Sequence, residues 1–377
     1  MKITLKRTPE QVELVKAMAS RNRQVAYEAQ VALAEFIGPV LAEVLNQAPT
    51  VSNLFQTLQF DADDNPSIPL DLYYNISDED YVQIWSQSHA GGLPSNQVLP
   101  TASELKLATY SLDTAVDFDR RYAAKSRMDV VSKTFTRVAQ NILIKQETTS
   151  ATLLMSALAN ASTNGNAHVQ KTVNDDRFIL ADLNELLTLA KRINTSWIGG
   201  TPTTRTKGIT DILCSPEIVE DLRAMAYNPI NTVAADGGAP ASTEDGIAAP
   251  DAIRGELYKS AGIPEFYGLA IMELNELGAN QRFTDLFTAQ GGSYTRPDGS
   301  GTEAFANGDD IVVGVDRTRD SLIRAVATDA ESGSEFTLLA DDQYSIRQNK
   351  IGYFGSVEEG RVVLDNRVLV GKMVPAA

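Results

Sequence analysis

Cysteine and histidine are nearly missing from this 377-residue chain, which has one cysteine, Cys214, and two histidines, His89 and His168. A single cysteine excludes an internal disulfide and suits a reducing compartment. Two histidines eighty residues apart, with the cysteine elsewhere, give no zinc-type ligand set and no Cys-His nucleophile pair. Positive charge is also short: 33 Lys and Arg stand against 49 Asp and Glu, a formal charge of −16, which argues against tight nucleic-acid binding because phosphate neutralisation needs excess cations. No long apolar run exists. The nearest, Val31 to Leu45, is interrupted by Glu35, Gly38, Pro39 and Glu43, so no membrane span is expected. The first residues lack the apolar core of a signal peptide, so the chain is expected to start out cytosolic.

Glycine and proline are absent from one stretch in particular. Residues 119 to 161 contain neither, and Met128, Val131, Phe135, Val138 and Ile142 recur at helical spacing, with Leu153, Leu154, Ala157, Leu158 and Ala161 resuming the stripe. Arg127, Lys133, Arg137 and Lys145 are left to other faces. At 1.5 Å per residue an unbroken helix here is about 60 Å long. A compact globule of this chain length has a radius of gyration of about 21 Å, so such a rod spans it entirely. Either the helix breaks at Thr148, Thr149 and Ser150, whose hydroxyls compete for backbone bonds, or the subunit is a flat, elongated plate. The plate is the reading adopted.

The other elements are α and β in mixture. Residues 10 to 45 read as helix with broken apolar faces, Pro39 marking a kink or boundary, and suggest an arm rather than a core. Ile68, Leu70, Leu72, Tyr74 and Ile76 alternate as a strand does, and so do Tyr110, Leu112, Val116 and Phe118. A long Gly/Pro-punctuated tip between them makes an extended hairpin, a connection length that is usually functional. Residues 162 to 176 read as a polar loop and 183 to 193 as an amphipathic helix. Ile209 to Cys214 read as a buried strand turning into a helix capped by Ser215, with Pro216 at its first position. Residues 228 to 252 and 288 to 309 read as loops, and the C-terminal part as strands, with a turn at Asp365-Asn366. Charge is uneven along the chain. Residues 1 to 30 hold six Lys and Arg against three Glu, whereas 231 to 310 hold four basic and thirteen acidic residues.

Chemistry-bearing motifs fail on inspection. Asp61, Asp63 and Asn65 match the start of a calcium loop, but Pro66 replaces its glycine and Leu72 its bidentate glutamate. Gly299 to Ala304 has the letters of a dinucleotide turn without the strand and helix that give it meaning. The acidic pairs Asp309-Asp310 and Asp341-Asp342 read as solvated turns. No catalytic residue, cofactor site or metal site is assigned, and the chain is not expected to be an enzyme.

The order of these elements resembles the major capsid protein of tailed bacteriophages, with the Hong Kong ninety-seven-like fold also seen in encapsulin shells. "DRRYAAKSRMDVVSKTFTRVAQNILIKQETT" resembles the spine helix, following "VDFDRR" as the loop's return strand. "DILCSPEIVEDLRAM" is similar to the axial-domain strand and helix, "IVVGVDRTRDSLIRAV" to the strand pair leading back to the periphery, and "YSIRQNKIGYFGSVEEGRVVLDNRVLVGKMV" to the closing strands. The resemblance implies an α+β fold with an N-terminal arm (1–60), an extended hairpin loop (61–118), a peripheral domain with the spine helix (119–178 and 331–377) and an axial domain (179–330). It implies self-assembly as hexamers and pentamers into an icosahedral virion shell, built in the host cytoplasm around double-stranded DNA held by weak contacts. Scaffolding protein, portal and decoration protein are the implied partners, and no membrane is involved. On this reading Ile68, Leu70, Leu72, Tyr74, Tyr110 and Leu112 anchor the hairpin on an adjacent subunit, while Lys2, Lys6, Arg7, Arg127, Lys133 and Arg137 face the interior. Some relatives cross-link through a hairpin lysine; the only lysine between residues 51 and 124 is Lys106, away from the tip, so that chemistry is not carried over. The alternatives are a shell around protein cargo and a soluble enzyme using carboxylates of the acidic 231–310 region.

Overall fold

The computed structural model describes residues 8–47, 51–61, 66–69, 104–163, 168–173, 177–198, 208–224, 265–266, 268–296, 301–328, 335–341 and 348–375. The chain is α+β and divides into two compact units. One holds the described residues of Met1–Ile68, Glu104–Ala151 and Ile323–Val362; the other holds chiefly those of Thr152–Leu322 and Val363–Ala377.

The first unit begins with α1 (Pro9–Met18), which has Pro9 at its first position and Thr8 as N-cap, accepting from the Gln11 amide. α2 (Arg23–Gln47) follows and runs straight through Pro39, which lies on its exposed side, where water can satisfy the carbonyl that the proline leaves unpaired. Composition and length alone would let α2 cross a membrane. Its apolar row Leu33, Ile37 and Leu41 is instead buried, together with Val15, Phe118, Val131, Phe135 and Tyr353. The expectation that this stretch takes no part in a core is therefore corrected: spacing of four residues brings one face of α2 into one.

That core is closed by a five-stranded sheet in the order β1 (Gln56–Asp61), β12 (Leu322–Thr328), β14 (Lys350–Val363), β13 (Thr337–Asp341), with β4 (Tyr110–Asp119) also on β14. β4 alternates as expected, its odd members Ser111, Asp113, Ala115 and Asp117 exposed and Phe118 buried. Its partner differs from the expected one. β4 pairs antiparallel with β14, from Tyr110 opposite Glu359 to Asp119 opposite Lys350, while the short β2 (Ser67–Pro69) pairs with β3 (Glu104–Lys106). Alternation fixes which face a strand buries but not which strand lies beside it.

Asp119 then caps α3 (Arg120–Ala124), accepting from the Arg121 amide at 2.9 Å. The expected single helix from 119 is interrupted here, because Ser126 takes a left-handed conformation, φ 51°. α4 (Met128–Thr163) is then continuous for 36 residues. At the point where the alternative reading placed a break, Thr148, Thr149 and Ser150 turn their hydroxyls back to the carbonyls of Ile144, Lys145 and Gln146, at 2.7, 3.0 and 2.6 Å. That bond leaves the main-chain ladder in place, so the competition resolves inside the helix.

The second unit is built on an eight-stranded mixed sheet: β10 (Thr302–Ala304), β9 (Ser293–Thr295), β5 (Val169–Lys171), β15 (Leu369–Val374), β11 (Asp310–Val315), β6 (Asp211–Cys214), β8 (Leu269–Glu273) and β7 (Glu265–Phe266). α5 (Leu180–Ile198) and α6 (Pro216–Ala224) cover it with Leu183, Leu186, Ala190, Ile218, Val219 and Leu222 against Ile212, Val312 and Val370. The Ser215 cap is present, its hydroxyl accepting from the Ile218 amide at 3.3 Å. The loop expected at 162–176 contains β5, and that expected at 288–309 contains the end of α7 (Arg282–Ala289), β9 and β10. Residues 228–252 lie outside the described residues. The strand pair expected at 311–326 is split, β11 joining the eight-stranded sheet and β12 the five-stranded one, and the closing strands divide likewise between β14 and β15. The Asp365 turn is formed, its carboxylate accepting from the Arg367 amide at 2.8 Å.

Candidate assembly and polyanion-binding surfaces

α4 presents two faces in the first unit. Val131, Phe135, Val138 and Ile142 are buried, Phe135 meeting the Tyr353 ring edge-on at 5.3 Å between centroids. On the exposed side lie Lys133, Arg137 and Lys145, and Arg127, just before the helix, is exposed too. Arg127 has Asp129 at 3.8 Å, both well exposed. Lys133, Arg137 and Lys145 have no ion-pair partner among the described residues, and the twelve residue steps from the first to the last extend about 18 Å along the helix. From 120 to 145 there are seven Lys and Arg against one Asp, in a chain of formal charge −16. Lys145 belongs to this row although the sequence reading did not assign it to the interior set. Its position eight residues after Arg137 was the available signal. Lys2, Lys6 and Arg7 lie outside the described residues.

The hairpin residues divide. Ile68 is buried, beside a Leu107 amide that donates to the Pro66 carbonyl at 2.9 Å. Leu112 packs on the first unit's core, and the Tyr110 hydroxyl donates to Glu359 at 3.0 Å, with burial and the Glu359 charge pushing its pKa up to about 12. These three are engaged inside the chain. Leu70, Leu72 and Tyr74 lie outside the described residues.

Glu359 is the centre of a buried polar network that sequence reasoning missed. It is fully buried and accepts from Arg324 Nε at 2.9 Å, from Arg361 at 3.0 Å and from Gln146 at 3.2 Å, besides Tyr110. Burial pushes its carboxyl pKa up, but the charges and hydrogen bonds of Arg361 and Arg324 together outweigh burial and hold it below the ordinary glutamate value. Arg361 also donates to Ser150 of α4 and lies over the Phe55 ring, 5.6 Å from its centroid. The network ties β4, α4, β12 and β14 together.

The second unit buries its titratable groups too. Asp310 accepts from the Ser215 hydroxyl and from the Ile311 amide at 2.7 Å, and burial pushes it up to about 6. This corrects its reading as a solvated turn: a strand that is buried along its length carries its first residue inward. Cys214 is buried beside it, its thiol pushed up to about 12 by burial. His168 is fully buried with Nδ1 2.8 Å from the Leu369 carbonyl, and burial holds its pKa below the usual value. Lys372 is buried and donates to Glu185 at 2.7 Å. β10 occupies the Thr302–Ala304 stretch, so no helix opens where a dinucleotide turn needs one. Among the described residues no group of three or more His, Cys, Asp or Glu is arranged to hold a metal. His89, Asp63 and Asn65 lie outside them.

No protein-family model and no curated protein matches the chain. Solved structures do. A Microbacterium phage Oxtober96 chain aligns with TM-score 0.48 and 12% identity over 88% of this chain and 92% of its own. The capsid of the cyanophage P-SCSP1u gives TM-score 0.46 and 15% identity over 88% of each chain. The holo-SrpI encapsulin complex of Synechococcus elongatus gives TM-score 0.40 and 14% identity, covering 72% and 76%.

Proposed function

We propose that this chain is a major capsid protein that assembles with copies of itself, as hexamers and pentamers, into an icosahedral shell around double-stranded DNA. The observation that carries the reading is the passage from β4 through the short, Asp119-capped α3 into the 36-residue α4, with β14 returning from the far end of the sequence to pair along β4. A strand that leaves an extended loop, a long helix laid on the sheet, and closing strands that come back to it follow the order implied by the sequence resemblance. The exposed cations of α4 supply a second support. They give an otherwise acidic chain one row able to neutralise phosphates, at a density that suits weak contacts with a genome that must leave again.

On this reading Leu70, Leu72 and Tyr74 anchor the extended loop on an adjacent subunit, and Lys2, Lys6, Arg7, Arg127, Lys133 and Arg137 face the interior. Many such contacts, each weak, sum over the closed lattice. The division into arm (1–60), loop (61–118), peripheral domain (119–178 and 331–377) and axial domain (179–330) belongs to the same proposal. So do the remaining partners and the location: a scaffolding protein, a portal and a decoration protein, assembly in the host cytoplasm and residence in the virion. The role is structural rather than catalytic. Expression with and without a scaffold, followed by sedimentation and negative-stain electron microscopy, tests it. Closed particles of uniform size are expected; a chain that stays monomeric under all these conditions overturns the reading.

A further inference from the structure

The five-stranded sheet of the first unit ends in a strand with unusual freedom. β1 runs parallel to β12, from Gln56 beside Ile323 to Asp61 beside Thr328, and among the described residues no strand pairs with its other edge. β12 is largely buried, whereas in β1 only Phe60 is even partly covered, and Leu58 is 40% exposed. Folded chains protect such edges with lysine, proline, a bulge or a very short strand, because unpaired backbone groups recruit other strands. β1 has six residues and none of these devices, and Gln56 to Phe60 carry no charge. In a molecule of formal charge −16 this is a strip along which like-charged copies approach without direct repulsion.

We infer that β1 is a strand-pairing edge whose occupant is β1 of a second copy, joined antiparallel about a two-fold axis centred on Gln59. The sequence is self-complementary in that register. Side chains alternate, so Leu58 and Phe60 share one face and Thr57, Gln59 and Asp61 the other. Centring on Gln59 sets Leu58 opposite Phe60 of the partner subunit, and Phe60 opposite Leu58 of the partner subunit. Both apolar pairs lie on one face, and Asp61 meets a threonine rather than another carboxylate. A two-fold axis uses the same patch on both copies, so each pair occurs twice. Main-chain bonds supply the attraction, as in other strand additions, and the side-chain match fixes the register. The inference deepens the assembly reading and rests on copies associating.

The test is a Gln59→Cys variant. Its only native thiol is Cys214, which is buried, so the introduced sulfur is the reactive one. Under a mild copper–phenanthroline oxidant, assembled material is expected to give a disulfide-linked dimer as the main product on a non-reducing gel. An Ala115→Cys control, exposed on a different strand of the same sheet, is expected to give little. Leu58→Lys, at an exposed position, is expected to keep the helical circular dichroism and thermal midpoint while raising the concentration needed for association about tenfold. The inference is overturned if Gln59→Cys links no more than Ala115→Cys, or if Leu58→Lys assembles like the parent. A parent that forms no particles refutes the shell reading alone; dimers linked through residue 59 in that material still support the edge.

Discussion

Replacing Glu359 by Gln tests the buried network directly. The change keeps shape but removes the one carboxylate on which Arg324 and Arg361 converge, leaving guanidinium groups whose side chains are 9% and 1% exposed. Among the described residues the next anion to Arg324 is Glu335, at 3.8 Å. Breaking a buried pair by removing one partner strands the other charge in a poorly solvated place and costs about 3–5 kcal/mol. For a unit of this size that corresponds to a fall of about 10 °C in thermal midpoint. Tyr110→Phe removes one hydrogen bond to the same carboxylate and leaves the ion pairs, so a loss of about 1–2 kcal/mol is expected. Thermal and urea unfolding of the unassembled protein, followed by circular dichroism, measures both. Raising sodium chloride should leave the difference unchanged, because buried charges are little screened. The pH dependence has a definite sign. The Glu359 carboxyl lies below its ordinary value in the folded state, so its contribution is present above about pH 4.5 and disappears as pH falls through the folded value. A Glu359→Gln variant within about 1 kcal/mol of the parent at neutral pH, or less affected than Tyr110→Phe, refutes the claim that this network holds the unit together.

Asp310 should behave in the opposite sense. Its folded pKa is raised, to about 6, so its contribution is full below the unfolded value of 3.8 and is lost as pH rises from there to about 6. Asp310→Asn should flatten that part of the stability profile measured by urea unfolding between pH 4 and 7, by about 3 kcal/mol at most. Gly360→Ala should destabilise the first unit by about 1–3 kcal/mol in the same assay, since an added Cβ would sit 2.7 Å from the Ala108 carbonyl oxygen, a backbone atom that cannot rotate away. Changing Lys133, Arg137 and Lys145 together to Gln should leave the thermal midpoint nearly unaltered, because all three are exposed. The same variant should lower the slope of log affinity for duplex DNA against log salt by about 2.7 in a filter-binding titration.

The parts of the fold that were legible share a physical property: they depend on the face a residue takes, which local spacing determines. The stripe from Met128 to Ile142, the alternation from Tyr110 to Phe118, and the Ser215-Pro216 cap are all of this kind. Choices between distant partners were not legible. Nothing in residues 110–119 says that their neighbour lies at 350–359 rather than across the hairpin, since register and pairing follow from the assembled sheet. Strands of three residues, as at Val169–Lys171, Ser293–Thr295 and Thr302–Ala304, are too short for alternation to stand out from polar loop. Ser126 has a left-handed backbone without the glycine or asparagine that usually marks one.

The candidate site was legible to the extent that it depends on side chains of one helix. Lys133 and Arg137 fall outside the apolar stripe by spacing alone, and exposure follows. Glu359 and Asp310 escaped for the opposite reason. A carboxylate in a strand reads as solvated unless its counter-charges or donors are known, and these come from Arg324 on another strand, Gln146 on α4, and Ser215 ninety-five residues before Asp310. The same reasoning explains why β1 looked unremarkable as sequence. Gln-Thr-Leu-Gln-Phe is an ordinary half-polar strand until the sheet order among the described residues puts it at an edge. Only then does its lack of lysine and proline become a physical statement about what must lie beside it.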